Sequence, residues 1–379
     1  MNRIGSRKCS GYLQLLKITL LSLLLLAPLA ASAEPPRSTT PDLAKHPIYS
    51  TYQFNKDGRH IYFGTQPLAI EGVITEVMRR DSTLKKNLKA MGVEIVFYPF
   101  LKGPDILFFS RRGDIDMATV GTAPTLIIAA TADAQITGMT KVSSASLITK
   151  KGVADIKALK GKRIGYPEGT TAHLGVLTAL SMGGMKDSDV RMIPMEVGEL
   201  AVALAENRIE AFSAFEPTPT GALAKHKDFV SIHRFFIPGY IYQTRLFAEK
   251  QSAASLQLHA SFARSLRWLK KSDKNLSTSA AWTLQAIESL TGKKSEVAAD
   301  QLKSVAKSDL LRFADSPVVS EVEFKQEGFL NKSFSLLKAQ GKLPSDASWE
   351  KVVQSVNSQI LKGILANPSK YQLNTYTPE

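Results

Sequence analysis

The chain has 379 residues, with 48 lysines and arginines against 34 acidic residues, for a formal charge of +14. Its single cysteine, Cys9, lies close to the N-terminus, so no disulfide or thiolate chemistry is available beyond it. The basic residues are scattered rather than clustered, which argues for ordinary surface lysines and a mild bias toward anionic ligands, not for nucleic acid.

In chain order, Arg3, Arg7, Lys8 and Lys17 precede a nearly uncharged apolar run over 18–30, and Ala31-Ser32-Ala33 has the small-x-small form cut by signal peptidase. Residues 1–33 are therefore expected to be a secretory signal peptide, because the run is too short to span a membrane and no stop-transfer pattern follows. Cys9 precedes the apolar run, where a lipid anchor is not attached. The expected mature chain is exported and starts at Glu34. Residues 34–58 are rich in Pro, Ser and Tyr without periodicity, and read as a leader or arm.

From residue 59 onward short strand patterns alternate with helical ones. Strands are expected over 60–64, 93–98 and 114–120, with helices over 70–78, 84–90, 105–112 and 125–131. Two short strands, 135–140 and 146–150, flank Lys141-Val142-Ser143-Ser144-Ala145, where a crossing between lobes is expected. Residues 162–166, 191–194 and 210–215 are strands again, separated by helices after Thr171 and from about Glu199. Residues 235–242 read as a return strand. The remainder is helical, over 256–269, 280–290, 297–306, 322–339 and 349–365. The alternation predicts a parallel α/β sheet. It divides into a first lobe (59–145), a second lobe (146–234), and a return to the first lobe with C-terminal helices (235–379).

Four strand-to-helix turns share a signature of glycine beside proline or threonine: Gly64-Thr65-Gln66-Pro67, Lys102-Gly103-Pro104, Gly121-Thr122-Ala123-Pro124 and Gly169-Thr170-Thr171-Ala172-His173. Glycine admits a ligand close to the backbone, proline at a first helical position leaves its missing N–H harmless, and threonine caps the helix. The free N–H groups at such helix starts bind anions without a fixed charge. Ligands of α/β sheets sit beyond the carboxyl ends of the strands, which is where these turns lie. His173, at a helix start, either donates to an anion or is a neutral ring satisfied by the backbone. Glu216 either meets a ligand amine or pairs with a lysine at the cleft rim. Asp114 and Asp116 alternate along a strand start, away from the cleft end, and no histidine set accompanies them, so no metal site is expected. No cofactor or catalytic motif is present in the sequence.

The stretch LKGKRIGYPEGTTAH, followed by NRIEAFSAFEP, resembles the second lobe of periplasmic substrate-binding proteins of ABC importers, in the branch that binds aliphatic sulfonates, taurine, nitrate and thiamine precursors. Lys102-Gly103-Pro104, Gly113-Asp114-Ile115-Asp116 running on to Pro124, and Ser143-Ser144 resemble first-lobe and crossover turns of that family. Thr122-Ala123 separates the last glycine from proline, Glu168 stands where the family has lysine, and Phe215 stands where it often has tryptophan.

The resemblance implies a two-lobed periplasmic binding protein fold (type II) with a helical C-terminal extension. It implies Gln66, Gly103, Pro104, Thr122, Ser144, Thr170, Thr171, His173 and Glu216 as ligand-binding residues. The implied protein is not an enzyme. It is a monomeric receptor for a small anionic or zwitterionic ligand, sulfonate- or taurine-like, which it delivers to an ABC importer permease. Nitrate, a phosphonate or a pyrimidine precursor are the alternative ligands, and a sensory or scaffold protein on the same fold is the alternative role.

Overall fold

In the computed structural model, residues 42–131 and 133–379 are described. The expected signal peptide, and the leader up to residue 41, lie outside the described residues. Eight strands occur among the described residues: β1 (His60–Thr65), β2 (Glu94–Pro99), β3 (Met117–Gly121), β4 (Ala134–Lys150), β5 (Arg163–Tyr166), β6 (Arg191–Pro194), β7 (Ala211–Phe215) and β8 (Phe229–Thr244). They form one sheet in the order β2-β1-β3-β8-β4-β7-β5-β6. β1 is parallel to β2 and β3, and β5 is parallel to β6 and β7. Between these two parallel halves lie β4 and β8, antiparallel to each other and to their outer neighbours.

β4 and β8 pair from Ala134 opposite Thr244 to Lys150 opposite Phe229. With 17 and 16 residues they are long enough to run through both halves, about 50 Å at the usual rise per residue. The sequence predicted two short strands separated by a crossing at 141–145, and a return strand confined to 235–242. The break into two strands and the bounds of the return strand are corrected, while the passage from one half of the sheet to the other is made within the continuous β4. Residues 142–145 stay in the sheet, paired with residues 235–238. The serines that read as a loop signal are buried with partners: Ser143 Oγ donates to Asp309 Oδ2 at 2.5 Å, and Ser144 Oγ accepts from Arg234 Nε at 2.9 Å. With both serines partnered inside the sheet, nothing at these positions forces the chain to leave it. The pairing register shifts between Ile136 and Gly138 and again between Met139 and Lys141, irregularities of the kind that bend a strand and re-aim its side chains.

Helices connect the strands: α1 (Glu71–Arg79), α2 (Ser82–Ala90), α3 (Gly103–Arg111), α4 (Thr122–Thr131), α5 (Thr171–Met182), α6 (Leu200–Ala205) and α7 (Thr218–Lys225). After β8 come α8 (Arg245–Lys250), α9 (Ser252–Lys271), α10 (Asp273–Thr291), α11 (Ala299–Asp309), α12 (Phe329–Ala339), α13 (Trp349–Gln354) and α14 (Gln359–Leu365). The expected helix over 322–339 is a 3₁₀ turn, Glu321–Phe324, followed by α12. Gly328 sits between them, so close to the Val322 and Glu323 carbonyls that a side chain there would overlap both. The expected helix over 349–365 splits because residues 355–357 turn aside to pair with β4. Ile136 N–H donates to Ser355 O, and Asn357 N–H donates to Ile136 O.

α9, α10 and α11 share one hydrophobic core with β1, α1 and α2. α12 and α13 cover α4, in a cluster that also includes Leu174 of α5. The C-terminal extension was expected on the first lobe, and it also touches the second half through α12. The end of the chain is fastened by a fully buried ion pair. Arg264 on α9 binds Asp81 Oδ2 through Nε (2.8 Å) and Nη2 (2.7 Å), and its Nη1 donates to the carbonyls of Tyr371 (2.9 Å) and Gln372 (3.2 Å). Asp81 also accepts from Ser261 and caps α2 through the Thr83 and Leu84 N–H groups. Arg264→Met removes the cation and leaves the Asp81 carboxylate buried beside one hydroxyl and two amides. It is expected to destabilise the protein by about 3–5 kcal/mol, read as a lower urea midpoint.

Candidate functional site

The carboxyl ends of β1, β3, β5 and β7 bring their turns together where the two halves of the sheet meet. After β1 the chain turns through Gln66 to Ala69 and enters α1 at Glu71. After β3, Gly121 leads directly into α4. After β5, Gly169 adopts φ +73°, a left-handed conformation that favours glycine, and Thr170 caps α5. The Thr170 hydroxyl accepts from His173 N–H at 3.4 Å and donates to Pro167 O at 2.7 Å. Both α4 and α5 thus start at the junction, one from each half, with the Thr171 hydroxyl accepting from Ala123 N–H at 3.4 Å between them. Gly121 makes this approach possible, since a side chain there would overlap Thr171 Oγ1. Lys102 and Glu196 form an ion pair across the same junction.

The junction encloses a small pocket lined by Gln66, Ala69, Glu71, Gly121, Pro124, Lys141, Thr170, Thr171, Phe215 and Ile237. Its free space is about 10 Å³, room for no more than about one water. Within it Lys141 Nζ lies 2.7 Å from Glu71 Oε2, with both side chains at most 2% exposed. Glu71 Oε1 has no hydrogen-bond partner among the described residues. Lys141 Nζ is also 5.9 Å from the centre of the Phe215 ring. Gly239, opposite Lys141 in the β4–β8 ladder, makes room for the pair, because a side chain there would overlap Glu71 Oε1 and Thr140 Oγ1.

Of the residues singled out from the sequence, Gln66, Thr170 and Thr171 line this pocket. Gln66 Nε2 donates to Thr119 O at 2.7 Å. Gly103 and Pro104 lie next to it, Gly103 against Gln66 and Pro124, and Pro104 against Gly169 across the junction. Thr122 turns its hydroxyl to Pro238 O at 2.8 Å, pinning α4 to β8. Ser144 is engaged by Arg234 on the ladder. Glu216 is buried and accepts from Thr220 N–H at 3.3 Å; burial raises its pKa. It makes no ion pair with a rim lysine among the described residues.

His173 faces a separate pocket of about 180 Å³ with Ile127, Glu168, Leu337 and Lys342. Its Nδ1 accepts from Gly169 N–H at 3.2 Å and its ring packs 4.4 Å from Tyr166, the backbone-satisfied arrangement left open by the sequence. Asp116 Oδ2 accepts from Tyr62 N–H at 2.8 Å, and Asp114 pairs with Lys56 and Arg112.

Sequence reasoning missed Glu71 and Lys141. The available signal was Lys141 itself, the only charge in the run from Ala134 to Thr149, and a glutamate opening an otherwise apolar helical stretch at 69–74.

A family model described as NMT1/THI5 like matches residues 91–267. Among curated proteins, a binding protein of Brucella abortus (strain 2308) is 31% identical over 128 residues, which is 34% of this chain and 40% of that protein. The taurine-binding periplasmic protein of Escherichia coli (strain K12) is 26% identical over 146 residues, 38% of this chain and 44% of that protein. The chain thus matches less than half the length of these curated relatives. Among solved structures, the alkanesulfonate-binding protein SsuA from Xanthomonas axonopodis pv. citri, bound to MOPS, superposes with a TM-score of 0.59 at 18% identity. That superposition covers 79% of this chain and 98% of the other. The fold is that of the periplasmic binding proteins, and the resemblance seen in the sequence holds in the family model, the relatives and the architecture.

Burial, with a further push from Lys342, lowers the pKa of His173 from 6.5 to about 4. The unfolded chain therefore takes up a proton at a pH where native His173 does not. The stability His173 contributes is complete above about pH 6.5 and is lost as pH falls toward 4. In an NMR titration its imidazole signals should hold still down to about pH 5, and Lys342→Ala should move the midpoint upward. A midpoint near 6.5 in the unaltered protein would contradict this environment.

Proposed function

We propose that this protein is the solute-binding receptor of an ABC importer, working in the periplasm and delivering a small organic ligand with an anionic group, sulfonate- or taurine-like, to a membrane permease. The observation that carries this reading is the convergence of two helix starts, α4 and α5, from opposite halves of the sheet on one pocket that also holds Lys141. Helix N-termini present unpaired N–H groups and the positive end of the dipole, and a lysine adds a full charge, so the three together suit a sulfonate or carboxylate. The two sheet halves are joined through β4 and β8, which suits hinge opening to admit a ligand and closure to exclude water. A taurine-binding relative and a likeness to an alkanesulfonate-binding structure support the same reading. Binding and release need no covalent step.

A thermal-shift panel of taurine, alkanesulfonates, nitrate, phosphonates and pyrimidines tests this. At a hundredfold excess over Kd, a true ligand adds about 2.7 kcal/mol and raises the midpoint by several degrees. Silence from the whole panel would count against the receptor. Thr171→Ala should weaken binding of the responding ligand by about 1–2 kcal/mol through one lost hydrogen bond in a closed site, measured by calorimetry. An unchanged Kd would remove that hydroxyl from the site.

A further inference from the structure

We infer that the buried Glu71–Lys141 pair makes this cleft selective for a small zwitterion, whose ammonium group replaces Lys141 against Glu71 while its acidic group replaces Glu71 against Lys141. The inference rests on the receptor reading and names the ligand class that the same pocket accepts.

The two side chains are the charged groups of the pocket lining, they are at most 2% exposed, and they touch at 2.7 Å. With the pair in contact the free space is about 10 Å³, far below the volume of any organic solute. A ligand therefore enters by parting them. What happens next depends on its charge. A bare anion that takes Lys141 leaves Glu71 buried, without a counter-ion and beside a second negative group, and both effects oppose binding. A bare cation strands Lys141 in the same way. A zwitterion exchanges one internal ion pair for two intermolecular ones and leaves no charge unpaired.

Glu71 Oε1 gives independent support. It is a buried carboxylate oxygen with no hydrogen-bond partner among the described residues, on a side chain that lines the pocket, and an ammonium carries three donors that could satisfy it. An acid at the start of α1 is also what the helix dipole favours. The dipole does not account for a lysine that is the only charge from Ala134 to Thr149 in β4, nor for the glycine at 239 that clears space for both groups.

Calorimetry on the purified protein tests this with matched probes that differ in the ammonium alone: taurine against ethanesulfonate, and β-alanine against propionate. At least one zwitterion should bind about tenfold or more tightly than its partner, the scale of a charge-assisted hydrogen bond in a dry site. Glu71→Gln, confirmed folded by circular dichroism, should shrink that gap to less than about threefold. If ethanesulfonate or propionate binds as well as its aminated counterpart, the inference is overturned while the receptor reading stands. The same holds if the folded Glu71→Gln protein keeps the full preference. If none of the four binds and the wider solute panel is also silent, both readings fail. Should Glu71→Gln not fold, the comparison of matched probes on the unaltered protein still decides.

Discussion

The continuous pairing of β4 with β8 is the constraint on which the rest of this structure depends. Two antiparallel strands pass from one parallel half-sheet into the other without leaving the ladder, so both halves inherit their register from the same pair of segments. Everything placed at the middle of that ladder is shared by the two halves. Lys141 and Gly239 face each other there, directly after the register shift at Met139. The strand ends of both halves point toward the same place, and α4 and α5 begin there from opposite sides. The proposed ligand site lies at this junction, beyond the carboxyl ends of strands from both halves.

The electrostatics of the junction follow from its dryness. An ion pair exposed to water contributes little, whereas Lys141 and Glu71 are shielded from it and each needs the other. Around them the polar groups are committed: Gln66 to Thr119 O, Thr122 to Pro238 O, Thr170 to Pro167 O. Glu71 Oε1 and the Thr140 hydroxyl, both of which a side chain at Gly239 would meet, have no hydrogen-bond partner among the described residues. The C-terminal extension adds a second link between the halves, because α12 covers α4 and also meets α5 next to the His173 pocket. Movement at the ladder must therefore be accommodated by the Leu337–Lys342 segment as well.

Much of the fold was legible in the sequence, because strand and helix periods alternate cleanly and the glycine-bearing turns mark the carboxyl ends of strands. The misread elements share a cause. Ser143 and Ser144 read as loop residues, yet Asp309 and Arg234, far away in sequence, satisfy them inside the sheet. The helix expected over 349–365 was broken by a tertiary contact, residues 355–357 pairing with β4, which no local pattern announces. The site was legible in part. Thr170, Thr171 and Gln66, singled out because helix starts carry a local signature, line the junction pocket. Glu71 and Lys141 were missed because their meaning is mutual: an acid opening a helix and a lysine within a strand are each unremarked until the fold buries them 2.7 Å apart. His173 and Glu216 carried the right chemistry, but the structure turns them toward Gly169 and Thr220.

The most direct measurement is a crystal structure grown with taurine at saturating concentration. The account predicts ligand density between α4 and α5, with its ammonium at Glu71, its sulfonate at Lys141 and the helix starts, and the direct contact between the two side chains broken. Taurine bound elsewhere on the protein, with Lys141 still seated on Glu71, would contradict it.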